Sequence, residues 1–380
     1  MSLFPTYNRY DIEIKSADGT LVTDIDGKEY LDFGSGIGVC NLGHRHEKVQ
    51  EAIKNQLDEY WHVSNLYKQP IQKKVAKKIT DNSVGDYVFF CNSGAEANEA
   101  AIKLARKASG KSKIISFSQS FHGRTFATMA ATGQEKVREG FGKMLESFQY
   151  ATFNDIDSVK KLIDEETAGV MVEVVQGEGG VIPATEQFLN ELQSLCRKYG
   201  ALLMIDEIQT GIGRTGKKFG YEHYGIEPDI FTLAKGLGNG LPVGAMVAKA
   251  DYVDAFGPGS HASTFGGNPV AMAAADAVTD IVFSESFLQE VAEKASFLEK
   301  KLQEEIAPLP FVKNVRQKGL MVGIECNSEV GDLIPKLMDQ GVLALVAGPK
   351  VCRLLPPLTV SQEEIAVAVT QIKKVLQEVE

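Results

Sequence analysis

The pattern of hydrophobic and polar positions alternates between two periods along the first two thirds of the chain. Short runs of β-branched and apolar residues predict strands, and between them apolar residues recur at helical spacing. The predicted strands are 87–91, 113–117, 168–175, 201–206, 229–234 and 244–248, and the predicted helices are 96–108, 156–163 and 186–199. Such alternation is typical of a largely parallel sheet covered by helices, so the sequence predicts an α/β fold.

The pattern changes after about residue 270. Long amphipathic helices are predicted at 287–305 and 361–380, beside a short strand at 319–325. Near the N-terminus, strand signals surround Asp26-Gly27, a pair that favours a hairpin turn. We therefore expect three parts, which are an N-terminal segment (1–45) that packs with the small domain, a large domain (46–265) and a smaller α+β domain (266–380).

Composition narrows the class of protein. The 380 residues carry 40 Lys and Arg against 50 Asp and Glu, and this net charge of -10 argues against a general nucleic-acid binder. No apolar run approaches the roughly 18 residues that a membrane span needs. The first residues lack the basic flank and apolar core of a signal peptide, and the five scattered cysteines fit a reducing compartment. We expect a cytoplasmic protein.

Residues 91–107 predict a strand end followed by a capped helix. Ser93-Gly94-Ala95-Glu96 matches the Ser-x-x-Glu capping box. The free backbone N–H groups and the positive dipole end at such a helix start suit a phosphate. A capped helix without any ligand is the alternative.

Two carboxylates, Asp206 and Glu207, follow a buried strand in the segment LLMIDEIQTGIGRTG. Ligands of open α/β sheets bind at the carboxyl ends of strands, so these carboxylates are candidate functional groups. Residues 211–216 match G-x-G-x-x-G. However, a poor helix follows them and four residues separate them from the strand, which argues against a dinucleotide-binding motif.

Lys235 follows another predicted strand and is flanked by the glycine-rich loop LAKGLGNG. A lysine beside such permissive backbone can approach a carbonyl compound, and a desolvated lysine is the usual nucleophile toward carbonyls. A solvated loop lysine would be the better interpretation of an isolated residue. Its combination with Asp206 and the phosphate-type helix start favours catalysis.

Two other groups of residues predict ordinary structure. His44 and His46 have the spacing of a metal-binding pair, but no third ligand accompanies them, so we expect loop histidines and no metal site. The lysine-rich stretch at 73–79 predicts a solvated helix face.

Asp206 and Lys235, together with the helix start upstream, resemble the site of fold-type I pyridoxal phosphate (PLP) enzymes. The sequence is more specifically similar to the class III aminotransferases. Within that class, its segments FHGRTFATMAATGQ and FNDI most resemble those of the members that act on acetylornithine. A departure is Val174, where relatives often carry proline. The matching segments span almost the whole chain and are NSGAEANEAAIKLAR, FHGRT, VQGEGG, IDEIQTGIGRTG, LAKGLGNGLPVGA, STFGGNP and RLLPPL.

This resemblance implies a large domain with a mostly parallel seven-stranded sheet and a smaller α+β domain. It also implies PLP as cofactor, a homodimer with shared active sites, and transfer of the terminal amino group of N2-acetyl-L-ornithine to 2-oxoglutarate in arginine biosynthesis. Alternatives with the same fold are ornithine, succinylornithine and 4-aminobutyrate aminotransferases and an aminomutase. Alternatives of other classes are a nicotinamide-dependent dehydrogenase and a non-enzymatic binding protein.

The resemblance also implies roles for individual residues. Lys235 would hold the cofactor covalently and move the proton, and Asp206 would pair with the ring nitrogen. Gly94 and Ala95 would bind the phosphate together with Thr264 from across the dimer. The other implied cofactor neighbours are Ser93, Phe121 stacked on the ring, His122, and Gln209 at the phenolic oxygen. The implied substrate residues are Arg124 for a distant carboxylate, Arg353 for a carboxylate near the cofactor, Glu178 paired with Arg353, and Ser263 across the dimer.

Overall fold

The N-terminal part of the computed structural model, which describes residues 2–378, begins with an antiparallel three-stranded meander. The predicted hairpin turn is present, since Asp24 Oδ1 accepts hydrogen bonds from the N–H groups of Asp26 and Lys28. Gly27 has a φ of 85°, which glycine adopts without strain. The elements of this part are β1 (Ile14–Asp18), β2 (Leu21–Asp24), β3 (Glu29–Asp32), α1 (Ser35–Gly38), α2 (Glu47–Glu59) and α3 (Pro70–Asp81).

The central sheet has seven strands in the order β4-β12-β11-β10-β7-β5-β6. Only β12 runs opposite to the other six strands, which confirms the mostly parallel seven-stranded sheet. Its strands, the short ribbon and the associated helices are β4 (Tyr87–Cys91), α4 (Gly94–Ser109), β5 (Lys113–Phe117), α5 (Phe126–Ala131), α6 (Glu135–Arg138), β6 (Phe148–Ala151), α7 (Ile156–Lys160), β7 (Thr167–Glu173), β8 (Val175–Gln176), β9 (Ile182–Pro183), α8 (Glu186–Tyr199), β10 (Leu202–Asp206), β11 (Ile230–Leu233), β12 (Gly244–Ala248) and α9 (Pro269–Val282).

The direction of β12 has a consequence for the site. Because β12 is antiparallel to both β11 and β4, β4 points the same way as β11 and β10. The carboxyl ends of β4, β7 and β10 therefore lie at one edge of the sheet. The helix start that follows β4 is brought beside the carboxylate that ends β10.

Helices on both faces explain why the central strands are continuous apolar runs. Every residue of β7 and of β10 is buried, as expected for a parallel sheet covered on both sides. Small alanines of α4 pack on one face against Met171 and Met204. On the other face, Leu189 and Leu192 of α8 pack in the larger hydrophobic core.

The small domain is built on an antiparallel sheet in the order β13-β14-β17-β16. Strand β15 instead pairs in parallel with β3, and Leu31 and Phe33 are buried in the small-domain core. The elements of this part are α10 (Glu285–Glu305), β13 (Val312–Lys318), β14 (Met321–Cys326), α11 (Leu333–Asp339), β15 (Val342–Leu343), β16 (Leu345–Val346), β17 (Val351–Leu354) and α12 (Gln362–Gln377).

The packing of α9 bears on where the domains divide. Its buried residues, such as Met272 and Val278, belong to the hydrophobic core of the central sheet, and the helix packs on α2 and α3. The division at residues 45 and 265 stays a prediction. We propose that α9 be counted with the large domain.

Several predicted elements differ at their ends. The apolar run 168–175 is divided, because β7 ends at Glu173 and Val175 begins a separate two-stranded ribbon. Strand β6 was not predicted, and the helix predicted at 156–163 ends at Lys160. The end of the last predicted helix, at 380, lies outside the described residues. Within the described chain, no helix combines the length and apolar character that crossing a bilayer requires.

Candidate active site

A cavity of about 410 Å³ opens at the carboxyl edge of the central sheet. Most of the site residues predicted from the sequence line it, although they come from segments far apart in the chain. They are Ser93, Gly94, Ala95, Phe121, His122, Arg124, Glu178, Asp206, Gln209 and Lys235.

Asp206 is a buried, hydrogen-bonded carboxylate of this cavity. It ends β10 and is 4% exposed. Its Oδ2 accepts a hydrogen bond from Asn98 Nδ2 at 2.8 Å, and its Oδ1 accepts one from Ile208 N at 3.0 Å. Asn98 is fixed in turn by Thr232, whose hydroxyl donates to Asn98 Oδ1 at 2.7 Å. These contacts hold the carboxylate in one orientation.

His122 lies against Asp206, with Nδ1 2.8 Å from Asp206 Oδ2. Burial opposes the charged imidazole, but the hydrogen bond and the negative charge of Asp206, with that of Glu173, raise the pKa of His122 above its ordinary value. Its Nε2 is buried and has no hydrogen-bond partner in the part of the chain that the structure describes. That atom is a polar group to which a ligand in the cavity could bind.

Glu173 is a second buried carboxylate at this edge, and the sequence analysis did not assign it a role. It ends β7 directly opposite Asp206, and its Oε2 accepts a hydrogen bond from Phe121 N at 3.1 Å. Burial, with a further contribution from the charge of Asp206, raises the pKa of Glu173 to about 7. The available signal was its position, since it ends the strand that pairs with the strand of Asp206.

Glu207 points away from the cavity, although it follows Asp206 directly. Its carboxylate accepts hydrogen bonds from Thr210 Oγ1, Gly220 N and Tyr221 N at 2.5, 2.9 and 2.7 Å. It therefore organises the loop 207–221. Of the two carboxylates singled out by sequence, only Asp206 lines the cavity.

Lys235 follows β11 and begins a 3-10 turn, Lys235–Leu237. Its φ of 44° lies in the left-handed region, which costs energy for a residue with a side chain and is found at functional sites. Burial, opposed by the charge of Glu178 and assisted by the positive charge of Arg353, lowers the pKa of the Lys235 amine to about 8. Near neutral pH a larger fraction of this amine is neutral than of an ordinary lysine, and the neutral amine is the nucleophile.

The start of α4 presents backbone N–H groups to the cavity. Ser93 caps the helix by accepting a hydrogen bond from Glu96 N at 3.2 Å. Glu96 does not complete the predicted capping box, because its carboxylate binds the backbone and side chain of Asn92 instead. Gly94 and Ala95 line the cavity, and the first N–H groups of a helix have no partner within it. This end can hold a phosphate.

Phe121 and Arg124 form one wall of the cavity. The Arg124 guanidinium lies 5.7 Å from the centre of the Phe121 ring, and the Arg124 side chain is exposed. A solvent-accessible cation at the cavity wall can bind a carboxylate of an entering molecule.

Arg353 lies behind the cavity and is 2% exposed. Its Nη1 donates to Glu178 Oε1 at 2.6 Å and to Gln209 Oε1 at 3.3 Å. Glu178 and Gln209 both line the cavity, so they separate the guanidinium from its interior. A movement of Glu178 would expose the arginine to a ligand.

Ser263 and Thr264 are outside this cavity and line a different surface depression. Ser263 Oγ accepts hydrogen bonds from Asn92 Nδ2 and Gly266 N at 3.1 and 3.0 Å. Thr264 is exposed. Within a single chain, these residues do not join the predicted site.

The histidine pair near the N-terminus has a local partner. His44 Nε2 lies 2.8 Å from Asp32 Oδ2, and hydrogen bonding to that carboxylate raises the pKa of His44 to about 10. Residues 2–378 contain no group of three or more His, Cys, Asp or Glu side chains that could hold a metal ion.

Comparison with known proteins gives the same family over nearly the full length. The family model for class III aminotransferases matches residues 5–376. The chain is 60% identical over 376 residues to the acetylornithine aminotransferase of Bacillus subtilis (strain 168), covering 99% of this chain and 97% of that protein.

Solved structures agree. The N-acetylornithine aminotransferase of Stenotrophomonas maltophilia K279a is 32% identical, with a TM-score of 0.86 and coverage of 98% of this chain and 97% of that chain. The ornithine aminotransferase of Toxoplasma gondii, solved with partial occupancy of PLP at its active site, is 30% identical with a TM-score of 0.94. The match covers 99% of this chain and 92% of that chain. With its fold, its cavity and its sequence in agreement, the chain belongs to the class III aminotransferase family.

Proposed function

We propose that this protein is a PLP-dependent aminotransferase that moves the terminal amino group of N2-acetyl-L-ornithine to 2-oxoglutarate in arginine biosynthesis. The products are N-acetyl-L-glutamate 5-semialdehyde and L-glutamate. The observation that carries the proposal is that the desolvated amine of Lys235 and the buried carboxylate of Asp206 share one cavity with an open helix start. The 60% identity to an acetylornithine aminotransferase supports this substrate over ornithine or 4-aminobutyrate.

The residues of the cavity fit PLP by their chemistry. The backbone N–H groups of Gly94 and Ala95 would bind the phosphate, Phe121 would stack on the ring and Gln209 would contact the phenolic oxygen. His122 also lines the cavity, and its Nε2, which has no partner among the described residues, would be available for a further polar contact. When bound, PLP supplies an electron-withdrawing pyridine ring, which a carboxylate such as Asp206 keeps protonated at nitrogen.

Lys235 has two tasks in this proposal. Its neutral amine would hold PLP covalently, and once the substrate amine had freed it, the same amine would move the proton at the substrate carbon. General base catalysis is most efficient when the pKa of the base is near the working pH. The lowered pKa of about 8 meets that condition.

The two substrates place their carboxylates differently, and three charged residues suit that difference. Acetylornithine carries its carboxylate far from the reacting amine, where exposed Arg124 can bind it. The reacting carbon of 2-oxoglutarate carries a carboxylate directly, for which Arg353 provides a planar bidentate donor. While acetylornithine is bound, Glu178 neutralises Arg353, because an unpaired buried arginine would be costly.

A cytoplasmic homodimer is part of the proposal. The surface formed by Trp61, Leu66, Tyr67 and Phe265 exposes these side chains by 68, 89, 68 and 60%. Its two segments are joined, since Asn65 Nδ2 donates to the carbonyl oxygens at 263 and 266. Large exposed apolar patches mark protein interfaces. If a second copy bound to this surface, the loop that carries Ser263 and Thr264 would be buried beside the active site of that second copy.

The experiment is a comparison of amino donors with the purified protein. With 2-oxoglutarate as acceptor, kcat/KM should be highest for acetylornithine among acetylornithine, succinylornithine, ornithine and 4-aminobutyrate. Lys235→Ala provides the control, since it should lose both the cofactor absorbance and the activity. A higher kcat/KM for ornithine or 4-aminobutyrate would contradict the assigned substrate, and a colourless wild-type protein after incubation with PLP would contradict the cofactor.

A further inference from the structure

Arg214 is a fully buried arginine without a carboxylate partner. Its exposed fraction is 0%, and burial alone lowers its pKa to about 9, with no compensating charge among the described residues. Its Nη1 donates to the carbonyl oxygens of Leu320 and Pro356 at 3.0 and 2.5 Å, and its Nη2 donates to Asn41 Oδ1 at 2.8 Å. A buried cation bound only by neutral oxygens is costly. Geometry, rather than charge pairing, is what this side chain provides.

The contacts of Arg214 join three separate parts of the chain. Leu320 lies in the turn between β13 and β14, Pro356 follows β17, and Asn41 belongs to the N-terminal segment. The backbone reinforces the junction, because Leu320 N donates to Arg214 O at 3.0 Å. Gly319 allows this approach, since a Cβ there would lie 2.3 Å from the carbonyl carbon of Thr215.

One branch of this junction reaches Lys235. Asn41 Nδ2 donates to Ile212 O at 2.8 Å, which fixes the amide. The same amide packs against Gly236, because a Cβ added to Gly236 would be only 2.3 Å from Asn41 Nδ2. Gly236 directly follows Lys235, whose backbone is in the left-handed region. Such a conformation persists only where surrounding contacts impose it.

The other branch reaches Arg353 through the segment Leu355–Leu358, which follows it. Several hydrogen bonds fix this segment, and three of them are short. Leu355 N donates to Phe33 O at 2.6 Å, Arg214 binds the carbonyl oxygen of Pro356, and Leu358 N donates to Asn41 O at 2.6 Å. Arg214 makes one of these short bonds and Asn41 makes another.

We propose that Arg214 and Asn41 are positioning residues that set the place of Lys235 relative to Arg353. Neither side chain lines the cavity, so neither contacts a substrate or cofactor there. They act through Gly236 on one side and through Leu355–Leu358 on the other. The catalytic meaning of this arrangement rests on the roles proposed above for Lys235 and Arg353.

The test compares the holoenzymes of wild type, Arg214→Lys and Asn41→Ala. Arg106→Lys is the matched control, because Arg106 binds Glu146 O and the Phe148 ring on the outer side of α4, away from the junction. A lysine at 214 keeps the charge but cannot hold three acceptors in the geometry of a guanidinium.

Two readouts separate the branches. Arg214→Lys should raise the KM for 2-oxoglutarate roughly 5- to 30-fold, with a smaller effect on the KM for acetylornithine, because one or two hydrogen bonds are lost. It should also shift the midpoint of the pH titration of cofactor absorbance. Asn41→Ala should shift that midpoint with little change in either KM, since the backbone carbonyl at 41 still holds Leu358. Equal KM changes for both substrates, or an unchanged midpoint in both variants, would overturn the proposal.

A third readout does not depend on the proposed function. Amide hydrogen exchange should accelerate at residues 236–238 in both variants, compared with wild type and Arg106→Lys. In Arg214→Lys it should also accelerate at Leu355 and Leu358, the two residues of their segment that have an amide hydrogen. Unchanged exchange would refute the junction even if the enzyme is active on another substrate. If Arg214→Lys does not fold, Asn41→Ala must still accelerate exchange at 236–238. A wild-type protein that lacks aminotransferase activity would contradict the proposed function alone.

Discussion

Arg353 Nη1 donates to Glu178 Oε1 at 2.6 Å, and the two side chains differ sharply in exposure, at 2% and 31%. The carboxylate therefore faces the cavity while the guanidinium lies behind it. The Glu178 carboxylate can move into the cavity without burying a new charge, whereas the buried Arg353 side chain stays in place. A substrate carboxylate that replaced Glu178 would find the cation already in place.

Arg353→Ala should damage the two half-reactions unequally. Amino transfer from acetylornithine should proceed in a single turnover, because Glu178 rather than the substrate is the partner of Arg353 in that step. The reaction with 2-oxoglutarate should become roughly ten- to a hundredfold slower, as expected for the loss of a charged hydrogen bond. Stopped-flow absorbance of the cofactor measures each step. Arg124→Ala should slow both steps. Arg138→Ala is the control, because Arg138 is far from the cavity, and it should slow neither step. Equal losses in the two steps for Arg353→Ala would contradict this division.

Borohydride reduction should attach the cofactor to Lys235 alone. The reagent reduces the covalent bond between PLP and lysine to a stable amine, which peptide mapping then locates. Lys249 is an internal comparison, because it also follows a strand, β12, but at the opposite edge of the sheet, where it lies 3.8 Å from Glu227. A label on Lys249 would show that the cavity is assigned to the wrong edge.

Asp206→Asn should retain bound cofactor and lose most of the rate of proton transfer. A neutral amide cannot hold the ring nitrogen protonated, and the loss of a buried charged hydrogen bond alone costs about 1.5 to 3 kcal/mol, or roughly ten- to a hundredfold in rate. Asp229→Asn is the matched control, since Asp229 binds Leu203 N at the other edge of the sheet. Near wild-type turnover of Asp206→Asn, with full cofactor content, would exclude the role.

Mixed subunits should test the shared site. Lys235→Ala and Thr264→Ala subunits, unfolded and reassembled together, should recover about one quarter of wild-type activity, because half of the dimers are hybrids and each hybrid has one intact site. Each variant reassembled with itself is the control. If exchange is verified and activity does not rise above these controls, Thr264 does not act across a dimer.

Glu173 should make the protein less stable as pH rises. Its pKa is about 7 in the folded protein against 4.5 for an ordinary glutamate, so the folded state binds more protons between these values. The free energy of unfolding should therefore fall across that window, by roughly 1 to 3 kcal/mol. Between pH 4.5 and 7.5, melting curves should show a smaller decrease in stability for Glu173→Gln than for wild type. Exposed Glu165→Gln should behave as wild type, and an unchanged pH dependence in Glu173→Gln would contradict the assignment.

Local sequence determined the strands of the central sheet well. Strands β4, β5 and β12 have the predicted bounds, because each is a short apolar run bounded by polar or glycine residues. The sequence does not predict strand β6, FQYA, because it lies at the sheet edge, where alternation is weak and only one of its four residues is buried. The division at Glu173 was also missed, since Val174 and Val175 continue the apolar run although the backbone turns to form the ribbon.

The pattern of hydrophobic and polar residues alone does not predict the residues of the candidate site. Motifs identified Lys235 and Asp206 because each follows a strand, and the resemblance supplied most of the remaining residues. Arg214 and Asn41 could not be recognised as partners, because 173 residues separate them and neither has a local signal. The pairing of Glu173 with Asp206 depends on which strands are neighbours, and that is decided by the order of the sheet rather than by either segment.

The pairing of β3 with β15 has a consequence for synthesis. Leu31 is opposite Val342, so 311 residues separate the two partners. Ribosomes add roughly 5 to 20 residues per second, so the outer edge of β3 stays without its strand partner for roughly 15 to 60 seconds while the rest of the chain is made. A strand edge left open for that time can pair with another nascent chain. A chaperone that covers the N-terminal meander during translation would therefore protect an open strand edge.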